Sequence, residues 1–201
     1  MRKTYITNVS LQAKRELLKV LYEPSGFKLE NNRESSFPII PVIAAHQEEK
    51  DEITVLAVRP DNVDTPDNYA ALLEELSELG IQEERVTVIP VAENQSDSVS
   101  LDLLMRIMEE IPEESLVYGD ITFGTKPMSA ILLYAMSFIE KIKNCEVDGI
   151  YYGEIRREGG KVSGASIYDL TVFNLLGDVI DQMRGLGIQE MQEALKKIME
   201  P

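Results

Sequence analysis

The sequence predicts an α/β fold: a Rossmann-like, mainly parallel sheet flanked by helices, with a C-terminal antiparallel hairpin and a short helical tail. Short apolar runs typical of buried strands alternate with segments of helical length, which is the pattern of βαβ units. Near the end, two strand-like runs flank a Gly-Gly turn, which indicates an antiparallel pair. Hydrophobic residues make up 44% of the 201 residues, which is enough for a sizeable core.

The first predicted elements are a strand and a helix. Residues 4–9 alternate in polarity and contain β-branched side chains, as a strand does. Ser10 follows directly and belongs to the residue types that cap helices, so a helix is predicted to begin near Leu11. The apolar face of this helix would carry Leu17, Leu18 and Leu21.

The next stretch is predicted to be irregular. Residues 24–36 are polar and rich in turn formers, which predicts a loop. Residues 37–45 are apolar, but Pro38 and Pro41 each remove a backbone donor. An edge strand or an irregular extended piece is therefore favoured over a central strand.

From residue 52 onwards, strands and helices alternate regularly. Thr65-Pro66 opens a helix with proline in its first turn, and Gly80 is a typical helix stop. Strands are predicted at residues 52–58, 85–91, 114–121, 147–155 and 165–171, and helices at residues 65–79, 99–111, 127–143, 172–184 and 188–199. In such an open sheet, ligands bind beyond the carboxyl ends of the strands.

Composition argues against several classes of function. The formal net charge of −15 argues against binding of long nucleic acid, which needs a basic face, whereas a small anionic ligand needs only a local site. No apolar stretch reaches the ~18 residues of a membrane span, and the first residues contain no secretion signal. The chain has one cysteine and one histidine, so we expect no metal site, and a reducing cytoplasm fits best.

The most informative stretch is GDITFGTKPMSA, residues 119–130, which stands between a predicted strand and a predicted helix. Pro127 suits the first turn of that helix, whose free backbone N–H groups form the positive end of its dipole. Gly124 lets the backbone approach a ligand, and Thr125 and Lys126 supply a hydroxyl and a cation. Together these are the parts of an anion site. The stretch is neither a Walker A loop nor GxGxxG, so no cofactor is expected.

The plainer alternative is an ordinary strand-to-helix turn, in which Thr125 caps the helix and Lys126 is solvated. Two other loops are predicted at the same edge of the sheet, at residues 7–10 and 93–96. The second is acidic, which favours a solvated loop. Asp120 is predicted to orient the motif by accepting backbone N–H bonds, rather than to act as an acid or base.

Three other side chains are possible site residues. His46 precedes the acidic run QEEKDE and is predicted to lie on an exposed loop rather than to act in catalysis. Tyr151 and Tyr152 alternate on a predicted strand, so one belongs to the core. The other is a candidate to stack on a base.

The run DITFGTKPM, residues 120–128, resembles the D-x-T-x-G and G-G-T-K-x-M loops of CRISPR-associated Rossmann fold (CARF) domains, the sensor domains of type III CRISPR ancillary proteins. The run IYDLT, residues 167–171, looks like the segment that ends many such domains, and the element order over residues 3–171 is compatible with them. The chain departs from the family pattern in two ways. Phe123 stands where a second glycine often stands, and no histidine precedes Gly124, which concerns catalytic detail more than fold.

The resemblance implies a homodimer in antiviral defence that binds a cyclic oligoadenylate, either cyclic tetra-adenylate or cyclic hexa-adenylate. A symmetric ring would meet the same surface on each copy across a two-fold axis. Residues 1–171 would be the CARF-like ligand-binding domain, and residues 172–201 a short helical extension. The resemblance and the loop chemistry place ten residues at the ligand: Thr7, Asn8, Ser10, Thr122, Phe123, Gly124, Thr125, Lys126, Pro127 and Met128.

Some members of that family are ring nucleases, which cut the messenger without a metal. A ribose 2′-hydroxyl attacks the adjacent phosphate, and the protein holds the hydroxyl in line and stabilises charge on the phosphoryl oxygens. Lys126 is the catalytic candidate for the charge and Ser10 for the hydroxyl; with no histidine base at the loop, cleavage would be slow. Two alternatives to this reading stay open: an adaptor of a defence complex that docks a partner through its C-terminal helices, and a nucleotide-using Rossmann enzyme.

Overall fold

The computed structural model describes residues 1–13, 17–94, 96–183, 185 and 187–199. Its strands are β1 (Arg2–Asn8), β2 (Val20–Leu21), β3 (Glu23–Ser25), β4 (Glu34–Ser35), β5 (Glu52–Pro60), β6 (Val86–Val91), β7 (Leu116–Asp120), β8 (Glu146–Glu158) and β9 (Lys161–Asp169). Its α-helices are α1 (Ile39–His46), α2 (Thr65–Glu78), α3 (Asp97–Glu110), α4 (Lys126–Ile142), α5 (Val172–Gln182) and α6 (Ile188–Met199). A short 3-10 helix, Glu83–Arg85, precedes β6.

Seven strands form one sheet in the order β3-β9-β8-β7-β1-β5-β6, and β2 pairs with β4 in a separate antiparallel sheet. The five strands from β6 to β8 in this order run parallel, and β9 returns antiparallel to β8. The predicted fold class is therefore confirmed, including the antiparallel hairpin. β5 and β6 lie on one side of β1, and the later strands β7, β8 and β9 lie on the other, so the strand order reverses between β1 and β7.

Helices cover both faces of the sheet and form two apolar layers. On one face, α1 and α2 contribute Ile43 and Leu72 to a buried cluster that includes Tyr5 of β1. On the other, α3 and α4 contribute Ile107 and Leu132 to a second cluster. Each strand of the sheet's centre alternates its side chains between these layers, which is why the central strands read as continuous apolar runs.

The prediction of an extended segment at residues 37–45 is wrong, because this run forms α1. Pro38 is the N-cap, and Pro41 lies in the first turn, where a backbone N–H has no acceptor within the helix. Ile39 through Ala44 are all buried, so the helix is apolar around its whole circumference. A short apolar run of this kind has no periodicity that separates a buried helix from a strand.

The predicted helix after Ser10 is also wrong within the described residues; residues 14–16 of that prediction lie outside them. Residues 17–19 have no regular structure, and Val20–Leu21 is a strand. The Nδ2 group of Asn68, on α2, donates to the carbonyls of Ser10 at 2.8 Å and Gln12 at 2.7 Å. These carbonyls are the acceptors that the first turn of a helix would use, so the tertiary contact replaces the helix.

The sequence predicted that His46 lies on an exposed loop, and this prediction is wrong. His46 is the last residue of α1 and is half-buried. Its ring centroid lies 4.8 Å from that of Tyr118, and its Nε2 is 3.2 Å from the hydroxyl of Tyr151. Burial lowers the pKa of His46 below its usual 6.5. The acidic residues that follow it start only after the helix has ended.

Contacts divide the chain into two units, Met1–Thr171 and Val172–Pro201. The second unit holds α5 and α6; residue 184, the end of the predicted helix 172–184, lies outside the described residues. The assignment of the first unit as a CARF-like domain stays a prediction. No helix in the described part of the chain has both the length and the apolar character that crossing a membrane requires.

Candidate functional site

The predicted motif lies at the carboxyl edge of the sheet, beside the point where the strand order reverses. β7 ends at Asp120 and the neighbouring β1 ends at Asn8. Helix α4 begins at Lys126, and Thr125 occupies its N-cap with φ −87° and ψ 159°. Residues 121–125, the site loop, therefore occupy the place where open α/β sheets bind ligands.

Asp120 anchors the site loop from inside the protein. This residue is 0% exposed, and its Oδ1 accepts hydrogen bonds from the backbone N–H of Thr122 at 2.9 Å and from the Thr122 hydroxyl at 2.5 Å. The hydroxyl of Thr7 donates to Asp120 Oδ2 at 3.0 Å. Burial raises the pKa of Asp120, and the hydrogen bonds from Thr122 and Thr7 oppose that rise. The prediction that Asp120 orients the motif by accepting a backbone N–H bond is confirmed.

Asn8 packs against the site loop at Gly124. Its Nδ2 donates to the carbonyl of Phe123 at 3.0 Å. Gly124 has φ +88°, and a Cβ there would lie 3.2 Å from Asn8 Cβ and Cγ. Glycine is therefore needed twice, for the left-handed backbone and for the close approach. Asn8 Oδ1 is buried and has no hydrogen-bond partner among the described residues.

The three predicted ligand residues at the end of β1 are completely buried. Thr7, Asn8 and Ser10 are each 0% exposed. The Ser10 hydroxyl accepts from the backbone N–H of Gln12 at 3.1 Å. In this arrangement the three side chains hold loops in place, and Ser10 offers no surface to a substrate. Their contact with a ligand stays a prediction.

The hydroxyl of Thr125 is the exceptional group of the loop. Thr125 stands at the N-cap of α4, yet its side chain makes no capping hydrogen bond. Its Oγ1 is buried and finds no hydrogen-bond partner in the part of the chain that the structure describes. A buried hydroxyl left unpaired costs about 1–3 kcal/mol. Thr125 thus occupies the N-cap position that the plainer alternative gave it, but the capping hydrogen bond to its hydroxyl is not made.

Lys126 and Pro127 are exposed at the start of α4, and Met128 is buried beneath them with 5% exposure. None of the described residues forms an ion pair with Lys126. The first-turn N–H groups of α4 have no acceptor within the helix, and they face the same end as the lysine. One mobile cation and free amides thus lie next to each other.

A cavity of about 180 Å³, the α4 cavity, opens beside Thr125. Its walls are mostly apolar and come from the ends of β5 and β6 and from α3 and α4. The lining residues are Leu11, Pro60, Asn62, Val91, Ala92, Glu93, Asn94, Val99, Ser100, Leu103, Thr125, Pro127, Met128 and Ile131. The loop at residues 93–96 thus contributes Glu93 and Asn94; Gln95 lies outside the described residues.

A second cavity of about 380 Å³ lies on the other side of the site loop. We name it the arm cavity after the part of β8 beyond residue 151, the arm, which lines it. Thr122 and Phe123 line it, and Phe123 also packs edge-on against Phe37 with centroids 6.0 Å apart. Tyr152 lines it too and is 39% exposed, whereas Tyr151 is buried with 3% exposure. The core and exposed members of the tyrosine pair are therefore as the alternation predicted. The site loop therefore lines both cavities, with Thr122 and Phe123 at the arm cavity and Thr125 at the α4 cavity.

Sequence reasoning missed most of the α4 cavity, although a signal existed. Pro60 and Asn62 follow β5 directly, and the carboxyl-edge rule applies to that strand as it does to β7. The described residues bring no three His, Cys, Asp or Glu side chains together in a group that could hold a metal ion. The site loop thus leads into an exposed cation, Lys126, and borders a mostly apolar cavity. The chain matches no protein-family model, and no curated protein matches it.

Proposed function

We propose that the site loop binds a cyclic oligoadenylate. The observation that carries this proposal is that Thr125 lines the α4 cavity while its hydroxyl is buried and unpaired among the described residues. A ligand oxygen or nitrogen at this point would satisfy the hydroxyl and remove its penalty. The resemblance of residues 120–128 to CARF loops supplies the ligand class.

The two kinds of surface fit the two parts of an adenylate. Free amides at the start of α4 and the cation of Lys126 suit a phosphate. The α4 cavity is smaller than the ~300–1,000 Å³ typical of drug-sized ligands, so it suits one ring of a larger molecule. Asn94 and Glu93 offer acceptors for the exocyclic amino group of adenine, and the apolar walls suit the faces of the base.

The outer face of α4 supports a second copy of the chain as the partner. Tyr134, Phe138 and Ile142 recur at helical spacing and are 65%, 45% and 58% exposed. No residue from Pro127 to Ile139 is charged, although the net charge of the chain is −15. Two such copies repel each other least through a neutral face. Because α4 starts at the site loop, pairing along it would bring two loops towards one symmetric ring.

Isothermal titration with cyclic tetra-adenylate and cyclic hexa-adenylate tests the proposal. We expect one ring per two chains for the better ligand. Lys126→Ala should weaken binding by about 1.5–3 kcal/mol, the usual worth of a hydrogen bond to a charged group. Lys141→Ala, which removes a cation at the other end of α4, is the matched control. The proposal fails if neither ring binds, or if both variants bind like the wild type.

The same complex shows whether the ring is opened. We propose binding as the primary function, because only Lys126 of the two catalytic candidates is exposed. Incubation of the ring with protein in EDTA, followed by chromatography, separates the outcomes. Linear products that disappear in Lys126→Ala would establish a ring nuclease, and an intact ring would establish a sensor.

An adaptor is the second candidate, and the C-terminal helices favour it. α5 exposes Val172, Phe173 and Leu175 by 47%, 57% and 59%, and α6 exposes Ile188 by 78%. Apolar side chains on such short helices are typical of a docking surface. A photo-crosslinking amino acid at position 173 in the native cell should capture one heterologous protein. Capture of this chain alone would rule the adaptor out.

A further inference from the structure

The hairpin of β8 and β9 extends beyond the carboxyl edge of the sheet. β7 ends opposite Tyr151, whereas β8 continues through residues 152–158 and pairs there only with β9. At about 3.3 Å per residue, this extension, the arm, is roughly 20 Å long. It therefore rises next to the site loop on the side where a ligand would lie.

The base of the arm is tied to the site loop. The backbone N–H of Gly153 donates to Thr122 Oγ1 at 2.7 Å, and Thr122 donates in turn to Asp120. Gly153 also sits against α1's N-cap, because a Cβ at this position would lie 2.3 Å from Pro38 Cγ. The arm and the site loop are thus held in one arrangement, with the arm cavity between them.

Arg157 is the cation that the arm presents to this cavity. Arg157 lines the arm cavity together with Gly153 and Ile155, which share its face of β8, and with Tyr152 and Glu154 from the other face. Arg156 lies on the opposite face, where it contacts Ser166 at 3.1 Å and Glu154 at 3.5 Å. Among the described residues, no carboxylate pairs with Arg157.

The remaining charge in the arm cavity is already compensated. Among the described residues that line it, Glu154 is the one carboxylate; it accepts from the hydroxyl of Tyr168 at 3.0 Å and pairs with Arg156. The arm cavity therefore presents one uncompensated cation, Arg157, and it lies beside the loop that leads to the second cation, Lys126.

We propose that Arg157 is a second anion contact of the site, binding a phosphate of the ligand that the Thr125-Lys126 corner holds from the other side of the loop. This proposal rests on the proposed function. The guanidinium is a planar fork that matches two phosphate oxygens at once, which an ammonium group cannot do. A ligand with several phosphates would extend across the site loop and contact both Lys126 and Arg157, whereas a mononucleotide would not reach both cations.

The test compares binding of cyclic tetra-adenylate to the wild type, Arg157→Gln, Arg157→Lys and Lys161→Gln. Lys161→Gln is the matched control, because it removes one charge from the same hairpin outside the cavity. We expect Arg157→Gln to weaken the affinity about tenfold or more, and Arg157→Lys to recover only part of it. We expect Lys161→Gln to change it less than about twofold, and AMP to bind the wild type and Arg157→Gln alike. Unchanged melting temperatures would show that all variants fold.

Three outcomes overturn the inference. If Arg157→Gln binds like the wild type while Lys126→Ala does not, the arm makes no contact and the proposed function stands. If Arg157→Gln and Lys161→Gln weaken binding equally, only the general field of the hairpin acts. If the wild type binds neither cyclic ring, the proposed function fails and this inference fails with it.

Discussion

Replacement of Gly124 by alanine tests the geometry of the site loop directly. At φ +88°, a residue with a Cβ is strained by about 1–2 kcal/mol. The new Cβ would also lie 3.2 Å from Asn8 Cβ and Cγ and 3.3 Å from its Nδ2. Asn8 is 0% exposed, so it moves only by straining its hydrogen bond to the Phe123 carbonyl. That bond is worth about 0.5–1.5 kcal/mol, so we expect a total loss near 2–3 kcal/mol.

Gly26→Ala is the matched control. Gly26 has φ +85°, but no described atom lies within 4 Å of a Cβ built there. Both substitutions share the backbone strain and the lower entropy of the unfolded chain, so the difference between them isolates the contact with Asn8. Urea denaturation followed by circular dichroism measures both free energies of unfolding. Equal losses in the two variants would refute the packing of Asn8 against the loop, and a Gly124→Ala loss below about 0.5 kcal/mol would refute the left-handed backbone.

Three further predictions concern the rest of the first unit. Gly153→Ala should destabilise the protein by about 1–3 kcal/mol, since a Cβ would lie 2.3 Å from the buried ring of Pro38; stability equal to that of the wild type in thermal unfolding would contradict this contact. The one histidine, His46, should titrate in proton NMR below 6.5, because burial and Lys3 lower its pKa more than Asp148 and Asp169 raise it. The unfolded chain then binds that proton at a higher pH than the folded chain, so stability should fall as pH drops below 6.5, and His46→Gln should remove this part of the pH dependence. Phe138→Glu should halve the mass seen by light scattering, from twice the 22.6 kDa of one chain to that of one chain; an unchanged mass would exclude the α4 face as the interface.

The fold class could be predicted because its signals are local. Alternating strands and helices from residue 52 onwards specify βαβ units, and Thr65-Pro66 and Gly80 mark the ends of α2 wherever that helix packs. The position of the motif followed from the same pattern, since the carboxyl ends of parallel strands meet at one edge. The role of Asp120 followed from its place at the end of β7, where the next residues need an acceptor.

The wrong predictions share one cause: residues that are distant in the sequence determine the local structure. Asn68 on α2 takes the carbonyls of Ser10 and Gln12 and prevents the helix that the serine predicted. The apolar run at residues 37–45 forms a helix because it is buried on all sides. A short apolar run does not reveal from its sequence whether it will be buried in this way. His46 is half-buried because Tyr118 and Tyr151, far along the chain, reach its ring.

The sequence by itself therefore determined the six longer strands, most helices and the loop that carries Thr125 and Lys126, because backbone propensity and hydrophobic period act within a few residues. It did not predict the short strands β2, β3 and β4, which depend on pairing with distant segments. Only the tertiary structure decided which polar groups at this edge of the sheet are paired inside the protein. It buries Thr7, Asn8 and Ser10 and uses them inside the protein, while it leaves the Thr125 hydroxyl without a partner among the described residues. It also brings Arg157 to the same loop, because the pairing of β8 with β7 and β9 sets where the arm rises.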